Sequence, residues 1–401
     1  MHYSFPVNIM LLAATFILPG PLTILSFYKK SLSLGTFLFF SLLGSIIIIS
    51  WIGLILAQLA IFSALMLGWI LLSYSLILLV IRKPWLRISL VQFPKISPLR
   101  MIPVIALFML ISIIYMRPHE YITGHWDPGT YLNTGFNLAN SGSLLIHDKL
   151  LSRMPTKDQA VFAPSREDLT RTPGFYMKDP HAGQMIPQFY HTYPVWLALF
   201  FQYFGAKGAL MLNPLFALCS IWTLFLLLKN LFNTKTAYMG LIIFSFNIVQ
   251  IWNARFATSE VLAQYFILSG IYILYEAKKD HQTLLLTILS SGSFAMAILT
   301  RTTSILIIPL LALYLLTKDW CRMRKKDWIF LIPISIGIFH LALQSLYFTK
   351  AYVKTMPHFF SGSEEKNALY SYLSIVLITV ICSLFRKRIQ PILTKEKVLI
   401  F

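Results

Sequence analysis

Residues 36–57 read TFLFFSLLGSIIIISWIGLILA and contain no charged side chain. An α-helix rises roughly 1.5 Å per residue and the hydrocarbon core of a bilayer is about 30 Å thick, so about 20 apolar residues can cross it. This stretch is therefore long enough and apolar enough to form a transmembrane helix. Similar runs recur from residue 8 to residue 385, which predicts an integral membrane protein.

The composition of the whole chain supports the same conclusion. Of 401 residues, 57% are hydrophobic and 12% are charged, whereas about 25% of the residues of a soluble domain are charged. The mean hydropathy is +0.69. A chain with so few charges cannot cover its own surface with polar groups, which excludes the soluble globular classes.

The apolar runs predict an all-α polytopic membrane protein with about eleven transmembrane helices. The N-terminus lacks the basic region and small-residue cleavage site of a signal peptide, so the first run is expected to be a retained span. The candidate spans are 8–28, 36–57, 61–81, 101–116, 209–229, 237–252, 262–276, 283–300, 303–317, 328–348 and 369–385.

The basic residues indicate the orientation of these spans. Cytoplasmic loops of membrane proteins are enriched in Lys and Arg. The 34 basic residues, against 15 acidic ones, cluster in short loops such as 82–100 and 318–326. If the spans alternate and the N-terminus is outside, all these loops fall on one side. The net charge of +19 therefore reflects topology, and no nucleic-acid partner is expected.

This topology requires that residues 191–204 stay out of the membrane. They begin with His-Thr-Tyr-Pro and have only a short apolar centre. If they crossed, every later basic loop would move to the outer side. We expect a helix at the outer interface, where Trp and Tyr are enriched.

The spans divide the chain into three parts. Residues 1–100 hold extra N-terminal transmembrane helices, residues 101–348 form the membrane core, and residues 349–401 hold an outer loop, the last span and a basic tail. Within the core, residues 117–207 form a large outer loop with interfacial helices. Seven of the 15 acidic residues lie in this loop. Loops of this length are usually functional.

Asp127 opens a predicted helix in the outer loop. Asp followed by Pro is typical of a helix start, with Asp127 as the N-cap and Pro128 at the first helical position. The helix is predicted to run to about Ser141, with Gly142 as its C-terminal stop. Two interpretations of Asp127 stay open. It is a helix cap only, or it is a carboxylate that the helix N-terminus keeps ionised, as a general base requires.

Two charged residues lie at the outer ends of predicted spans. Glu260 is either a functional group or a glutamate stabilised by its helix N-terminus and by Arg255, since ionisable groups near a bilayer are costly. Arg301 breaks the positive-inside pattern. It is either a snorkelling interfacial arginine or an anion clamp, because guanidinium pairs well with phosphate.

The histidines of the outer loop raise the question of a metal site. His119, His125 and Asp127 are close in sequence, but their spacing matches no helix-based pair of ligands. No metal site is therefore predicted there. The three cysteines show no paired spacing, so neither a disulfide framework nor a zinc knuckle is implied. His191, which opens the interfacial helix, is a separate candidate for a phosphate contact.

These features occur in the order found in the GT-C membrane glycosyltransferases, which include the protein O-mannosyltransferases, the lipid A aminoarabinose transferase and bacterial lipopolysaccharide sugar transferases. The chain resembles this superfamily over about residues 101–348. The matching motifs are Asp127-Pro128-Gly129-Thr130-Tyr131, His191-Thr192-Tyr193-Pro194, Ala254-Arg255-Phe256-Ala257-Thr258-Ser259-Glu260 and Leu299-Thr300-Arg301-Thr302. The chain has Asp-Pro-Gly where Asp-Glu is common, and Glu260 and Arg301 stand in place of Asp and Lys.

The resemblance implies a glycosyltransferase of the inner (plasma) membrane. Such an enzyme would move a hexosyl or pentosyl group from a polyprenyl-phosphate donor to an acceptor on the outer, periplasmic face. The acceptor would be a lipid, a glycan or a protein. A lipid-linked donor explains catalysis on that face, where nucleotide sugars and ATP are absent.

The resemblance also assigns roles to individual residues. Asp127 would deprotonate the acceptor hydroxyl, and Glu260 would orient the acceptor or help to hold a divalent cation, with no other cofactor implied. Donor-phosphate binding falls to Arg301, Arg255 and His191, and substrate binding falls to Tyr131, Tyr193 and His125.

Two other function classes stay open. A non-catalytic or transport protein for polysaccharide or lipid is one, although no acidic side chain, Lys or Arg lies in the middle of a predicted span, where transport pathways usually need them. A glycan polymerase or ligase is the other. It would depend on outer arginines and histidines and would not require Asp127.

Overall fold

The computed structural model describes residues 5–93, 98–121, 126–162, 164–166, 169–279, 284–316 and 325–353, and these are mostly helical. The predicted span 369–385, nearly all of the C-terminal part, and His125 lie outside the described residues. The α-helices are α1 Phe5–Phe16, α2 Pro19–Phe27, α3 Leu34–Gln58, α4 Ala64–Arg82, α5 Pro98–Tyr115, α6 Asp127–Ser141, α7 Lys149–Arg153, α8 Thr156–Phe162, α9 Thr192–Leu210, α10 Leu212–Leu231, α11 Thr234–Ser245, α12 Ile248–Arg255, α13 Glu260–Lys279, α14 Leu284–Thr300, α15 Ile307–Leu316 and α16 Lys325–Tyr347.

The helical content confirms a helical membrane protein that crosses the bilayer several times. Four described helices are long and apolar enough to cross a membrane, and the number rises to six if two bent helix pairs each form one span. The predicted number of eleven spans is not confirmed. The four are α3, α4, α10 and residues Trp328–Tyr347 of α16, and the bent pairs are Ile9–Phe16 with Pro19–Phe27 and Thr234–Ser245 with Ile248–Arg255.

The two bends have local causes in the sequence. The first pair is bent by 46° where α2 begins, and α2 starts with a proline, which lacks the N–H that would continue the hydrogen bonding of α1. The second pair is bent by 64°. There the side chain of Asn247 accepts hydrogen bonds from the backbone N–H of Val249 and Gln250, which caps α12 as a new helix.

Helices α13 and α14 form the centre of the bundle. Every residue of α14 from Leu289 to Thr300 is buried. The hydroxyls of Ser290 and Ser293 donate to the carbonyls of Gly270 and Phe266 on α13, each at 2.8 Å. Small hydroxylated residues let membrane helices approach closely and hydrogen-bond. The pair is therefore a firm support for the residues at its ends.

The outer loop contains a small antiparallel sheet, which the all-α prediction did not include. Its strand order is β3-β7-β6-β5-β4, and a separate parallel pair joins β1 to β2. The strands are β1 Leu32–Ser33, β2 Val91–Gln92, β3 Ile146–His147, β4 Ser165–Arg166, β5 Leu169–Thr172, β6 Phe175–Asp179 and β7 Gln184–Pro187.

Helix α9 occupies the segment predicted to lie at the outer interface. It is not among the described helices that are long and apolar enough to span, and Gly205, at φ 70°, interrupts its helical backbone. Residues 192–199 are all buried. They lie under α6, where a Cβ built on Gly135 would come within 2.6 Å of the Leu197 Cβ. The start of α9 is thus enclosed by protein and supports α6.

Candidate active site

Asp127 is the first residue of α6 rather than a cap that precedes it. Trp126 occupies the N-cap position and makes no side-chain capping bond, and Pro128 lies in the first turn. At the other end Gly142 adopts φ 72° and donates its N–H to the Leu138 carbonyl, so the predicted stop is confirmed. Within the described part of the chain, capping does not occupy the carboxylate of Asp127, which leaves it available for chemistry.

An ion pair lies where the start of α13 meets the end of α14. Glu260 begins α13, Arg301 follows α14, and the Arg301 Nη1 is 2.7 Å from the Glu260 Oε1. About a third of each side chain is exposed, 33% for Arg301 and 34% for Glu260. The second oxygen of Glu260 is buried without a hydrogen-bond partner among the described residues. Two residues 41 positions apart in sequence, both singled out as anomalies, are therefore direct partners.

A hydroxyl bridge joins α6 to this ion pair. The Tyr131 hydroxyl is 2.9 Å from the Ser259 hydroxyl, and the Arg301 Nη1 donates to the same Ser259 oxygen at 3.5 Å. The Tyr131 ring is buried and stacks on Phe189 at a centroid distance of 4.9 Å. Tyr131, predicted to bind substrate, therefore lies beneath the surface of the site and holds α6 against the Ser259–Glu260 turn.

The charges of the site act on one another. The pKa of Asp127 is raised by partial burial of its carboxyl and by the negative charge of Glu260, and Arg301 opposes the rise. Asp127 is nevertheless exposed to solvent at the mouth of the site. That the helix N-terminus keeps this carboxylate ionised stays a prediction. A carboxylate with a raised pKa is the stronger base, because its affinity for a proton is higher.

Asn213, a residue without an assignment from the sequence, holds the turn that carries Glu260. Its side-chain amide donates to the carbonyls of Asn253, at 3.3 Å, and Thr258, at 2.9 Å, and also to the carbonyl of Phe256. Asn213 itself is buried in the first turn of α10. The side chain of Asn213 thus hydrogen-bonds to three backbone carbonyls and stabilises the turn before α13.

Replacing Asn213 with alanine is expected to loosen this turn. The substitution leaves buried carbonyls without a donor, and each such group costs about 1–3 kcal/mol. We expect a lower thermal denaturation temperature in lipid nanodiscs, and a loss of sugar transfer larger than the loss of folded protein. The matched control is Asn137→Ala on α6, whose amide donates to a single carbonyl, that of Ser143. Equal effects of the two substitutions would show that Asn213 has no special part in placing Glu260.

His191, the candidate for a phosphate contact at the start of α9, is enclosed by protein. Its ring is fully buried, and burial lowers its pKa to about 3. Neither ring nitrogen has a partner among the described residues, and the ring packs edge-on against Phe348 at 6.0 Å. A neutral imidazole can donate one hydrogen bond to a phosphate but cannot neutralise its charge. Tyr193, the second residue of this motif, is also fully buried, and its hydroxyl has no partner within the described ranges.

Arg255 has a structural contact that the sequence did not indicate. Its Nε donates to the Arg117 carbonyl at 2.5 Å, while the N–H of His119 donates to the Arg255 carbonyl at 2.8 Å. The His119 ring packs on Trp252 at a centroid distance of 5.3 Å. These contacts join the start of the outer loop to α12. Among the described residues, no group of three or more His, Cys, Asp and Glu side chains lies together in a way that could hold a metal ion.

Tyr352 is a site residue that the sequence analysis missed. Its hydroxyl bonds to Thr302, and burial raises its pKa, with further influence from the charges of Arg301 and Asp127. Its ring meets Phe189 edge-on at 5.6 Å. A single tyrosine after a predicted span gives no signal in one sequence. Only the fold of the segment after α16 shows that Tyr352 borders Arg301 and Asp127.

Comparison with known proteins identifies the segment that carries Glu260 and Arg301. Residues 192–347 match the family model described as dolichyl-phosphate-mannose-protein mannosyltransferase, and Asp127 lies upstream of the matched segment. No curated protein and no solved structure matches the chain. The resemblance inferred from the motifs is confirmed over this range: residues 192–347 of this multi-pass membrane protein match a family of the GT-C superfamily of membrane glycosyltransferases.

Proposed function

We propose that this protein transfers a sugar from a polyprenyl-phosphate donor to an acceptor hydroxyl on the outer face of the membrane. The observation that carries the proposal is the ion pair of Glu260 and Arg301, whose two charges both act on the carboxyl of Asp127. A base and a cation side by side are what sugar transfer with a phosphate leaving group requires.

The chemistry follows from these groups. Asp127 accepts the proton of the acceptor hydroxyl as its oxygen attacks the anomeric carbon of the donor sugar. The bond between that carbon and the phosphate oxygen breaks in the same step, and the electron pair leaves with polyprenyl phosphate. Arg301 faces the growing negative charge, and a fixed cation at that point lowers the barrier. Glu260 holds the guanidinium in place through its ion pair with Arg301.

The lipid donor and the outer location support each other. Glu260 and Arg301 lie at the ends of apolar helices, where a phosphate at the lipid headgroup level could reach them under this proposal. In the positive-inside orientation this end is the outer one. A soluble nucleotide sugar is absent there, so a lipid-linked sugar is the donor class that fits. Arg255 and His191 lie beside the site as candidates for weaker donor contacts.

The proposal is tested with purified protein in lipid nanodiscs. A panel of radiolabelled polyprenyl-phosphate sugars is incubated with the protein and with membrane extracts that supply acceptors. We expect protein-dependent transfer of label, or slow hydrolysis when water is the only acceptor. A transporter would move label across vesicles without breaking the sugar–phosphate bond, and a polymerase would extend a glycan without needing Asp127. If the folded protein consumes none of the donors, the proposal is wrong.

The coupling between Glu260 and Asp127 gives a pH test. Asp127 works in its deprotonated form, so transfer falls as the pH falls through its pKa. The Glu260 charge raises this pKa, so Glu260→Gln is expected to lower it and to move the acid limb of the kcat/KM profile to lower pH. The matched control is Glu120→Gln, an exposed carboxylate of the same outer loop. An acid limb that stays in place in Glu260→Gln would remove Asp127 as its source.

A further inference from the structure

A cleft lies between the outer sheet and the residues that follow α16. Its volume is about 330 Å³, which is at the lower end of the range for small-molecule sites. The sheet supplies Tyr176, Lys178 and Ile186, and the other wall is supplied by Tyr347, Phe348 and Lys350. None of these residues was singled out in the sequence.

The register of the sheet explains the first wall. Tyr176 pairs with Ile186 across β6 and β7, so their side chains share one face. Met177 pairs with Met185 and Asp179 pairs with Gln184, which leaves Lys178 as the extra residue of a bulge. Bulges redirect side chains. The bulge accounts for a lysine in the wall of this cleft.

The chemistry of the walls favours an anion. Lys178 and Lys350 face the cleft from opposite sides, and both are exposed. Within the ranges that the structure describes, neither lysine is paired with a carboxylate. Lysine ammonium groups are common phosphate ligands. Two such groups across one cleft can share a single phosphate or carboxylate.

One wall also offers a hydrogen bond. Tyr176 is 5% exposed, and its hydroxyl is buried without a partner among the described residues. Buried polar groups are nearly always paired, so an unpaired one requires an explanation. A hydroxyl of a bound saccharide would satisfy it, and the exposed ring of Tyr347 offers apolar surface to a sugar ring.

The segment that follows α16 connects the cleft to the charged site. Tyr352 follows the cleft residues by two positions, and both Asp127 and Tyr176 influence its ionisation. Phe348 in the cleft wall packs on His191 on its other side. Tyr352 therefore connects the wall of the cleft to the charged site.

We infer that this cleft binds the acceptor, which is a saccharide that carries a phosphate or carboxylate group. The anion lies between Lys178 and Lys350, the sugar packs on the ring of Tyr347, and the reactive hydroxyl points to Asp127. The identification of this saccharide as the acceptor rests on the proposed function. The binding of an anionic saccharide at the cleft is testable without catalysis.

The test measures binding to the full-length protein in nanodiscs of uncharged lipid. The probes are glucose 6-phosphate, glucuronate and glucose, followed by saturation-transfer NMR. Exposed charge pairs contribute up to about 1 kcal/mol each, so two lysines correspond to about tenfold tighter binding of an anionic probe than of glucose. The phosphate and carboxylate probes separate the two kinds of anion. Lys178→Ala with Lys350→Ala is expected to abolish the preference.

The controls separate this inference from the function. Lys149→Ala with Lys157→Ala, two lysines elsewhere in the outer loop, keeps the preference, and so does Asp127→Asn. Equal binding of glucose and glucose 6-phosphate, unchanged binding in the Lys178/Lys350 variant, or no binding of any probe would each overturn the inference. Specific binding without transfer by the unmodified chain counts against the proposed function and leaves the anionic-saccharide site standing.

Discussion

Replacing Asp127 with asparagine is expected to lower kcat/KM for sugar transfer by about 10²–10⁴-fold, which is the usual contribution of a general base. This corresponds to about 3–5 kcal/mol of barrier. Asparagine has nearly the same size and cannot accept the proton of the acceptor hydroxyl. The loss should appear in kcat, because Asp127 is not needed to hold the lipid donor. Transfer from a radiolabelled polyprenyl-phosphate sugar, followed over time, measures it.

The matched control for this variant is Asp148→Asn. Asp148 lies in the same outer loop and caps α7 by accepting from the N–H groups of Leu150 and Leu151, a role that asparagine also performs. Asp148→Asn is therefore expected to keep full activity. An active Asp127→Asn variant would remove the general base from the mechanism, even if the protein proved to be a glycosyltransferase.

Replacing Arg301 with glutamine is expected to cost roughly 10²–10³ in kcat, because a fixed donor or cation at a developing charge contributes on that scale. Arg301→Lys should retain part of the activity, since it restores the charge without the bidentate fork. The matched control is Arg153→Gln, an exposed arginine at the end of α7. It removes the same charge from the same face and should have little effect.

A double variant distinguishes chemistry from stability at Arg301. Arg301→Gln leaves Glu260 partly buried without its cation, which destabilises the protein in addition to any catalytic loss. Glu260→Gln in the same chain removes the unpaired charge. We expect the double variant to recover thermal stability and to remain inactive. Recovery of both stability and transfer would show that Arg301 serves the fold alone.

The sequence was informative where a charge conflicted with its surroundings. Glu260 and Arg301 could be predicted because an acid and a base at the outer ends of apolar runs are costly in lipid. Asp127 could be proposed as a site residue because Asp-Pro begins a helix, and because this helix lies in a loop of a length that is usually functional. The apolar runs predicted a membrane protein for the same physical reason. The number of spans was harder to predict. The sequence of a bent helix pair such as α11 and α12 is one continuous apolar run, and it does not show where the helix breaks.

The remaining features depend on contacts that one sequence does not show. Asn213 is an ordinary polar residue at the start of an apolar helix until three carbonyls are seen around it. The buried, neutral state of His191 follows from the packing of α9 under α6, not from its motif. The sheet that carries Tyr176 and Lys178 consists of strands of two to five residues, too short for alternation to stand out.

The dipoles of α13 and α14 favour the observed placement of the two charges of the ion pair. Glu260 sits where its helix has a partial positive charge, and Arg301 follows the end of its helix where the partial charge is negative. Each side chain is therefore favoured by its own helix as well as by its partner. Exchanging the two residues would preserve the pair but set both charges against the helix ends. The backbone dipoles therefore help to keep the Arg301 guanidinium beside Glu260.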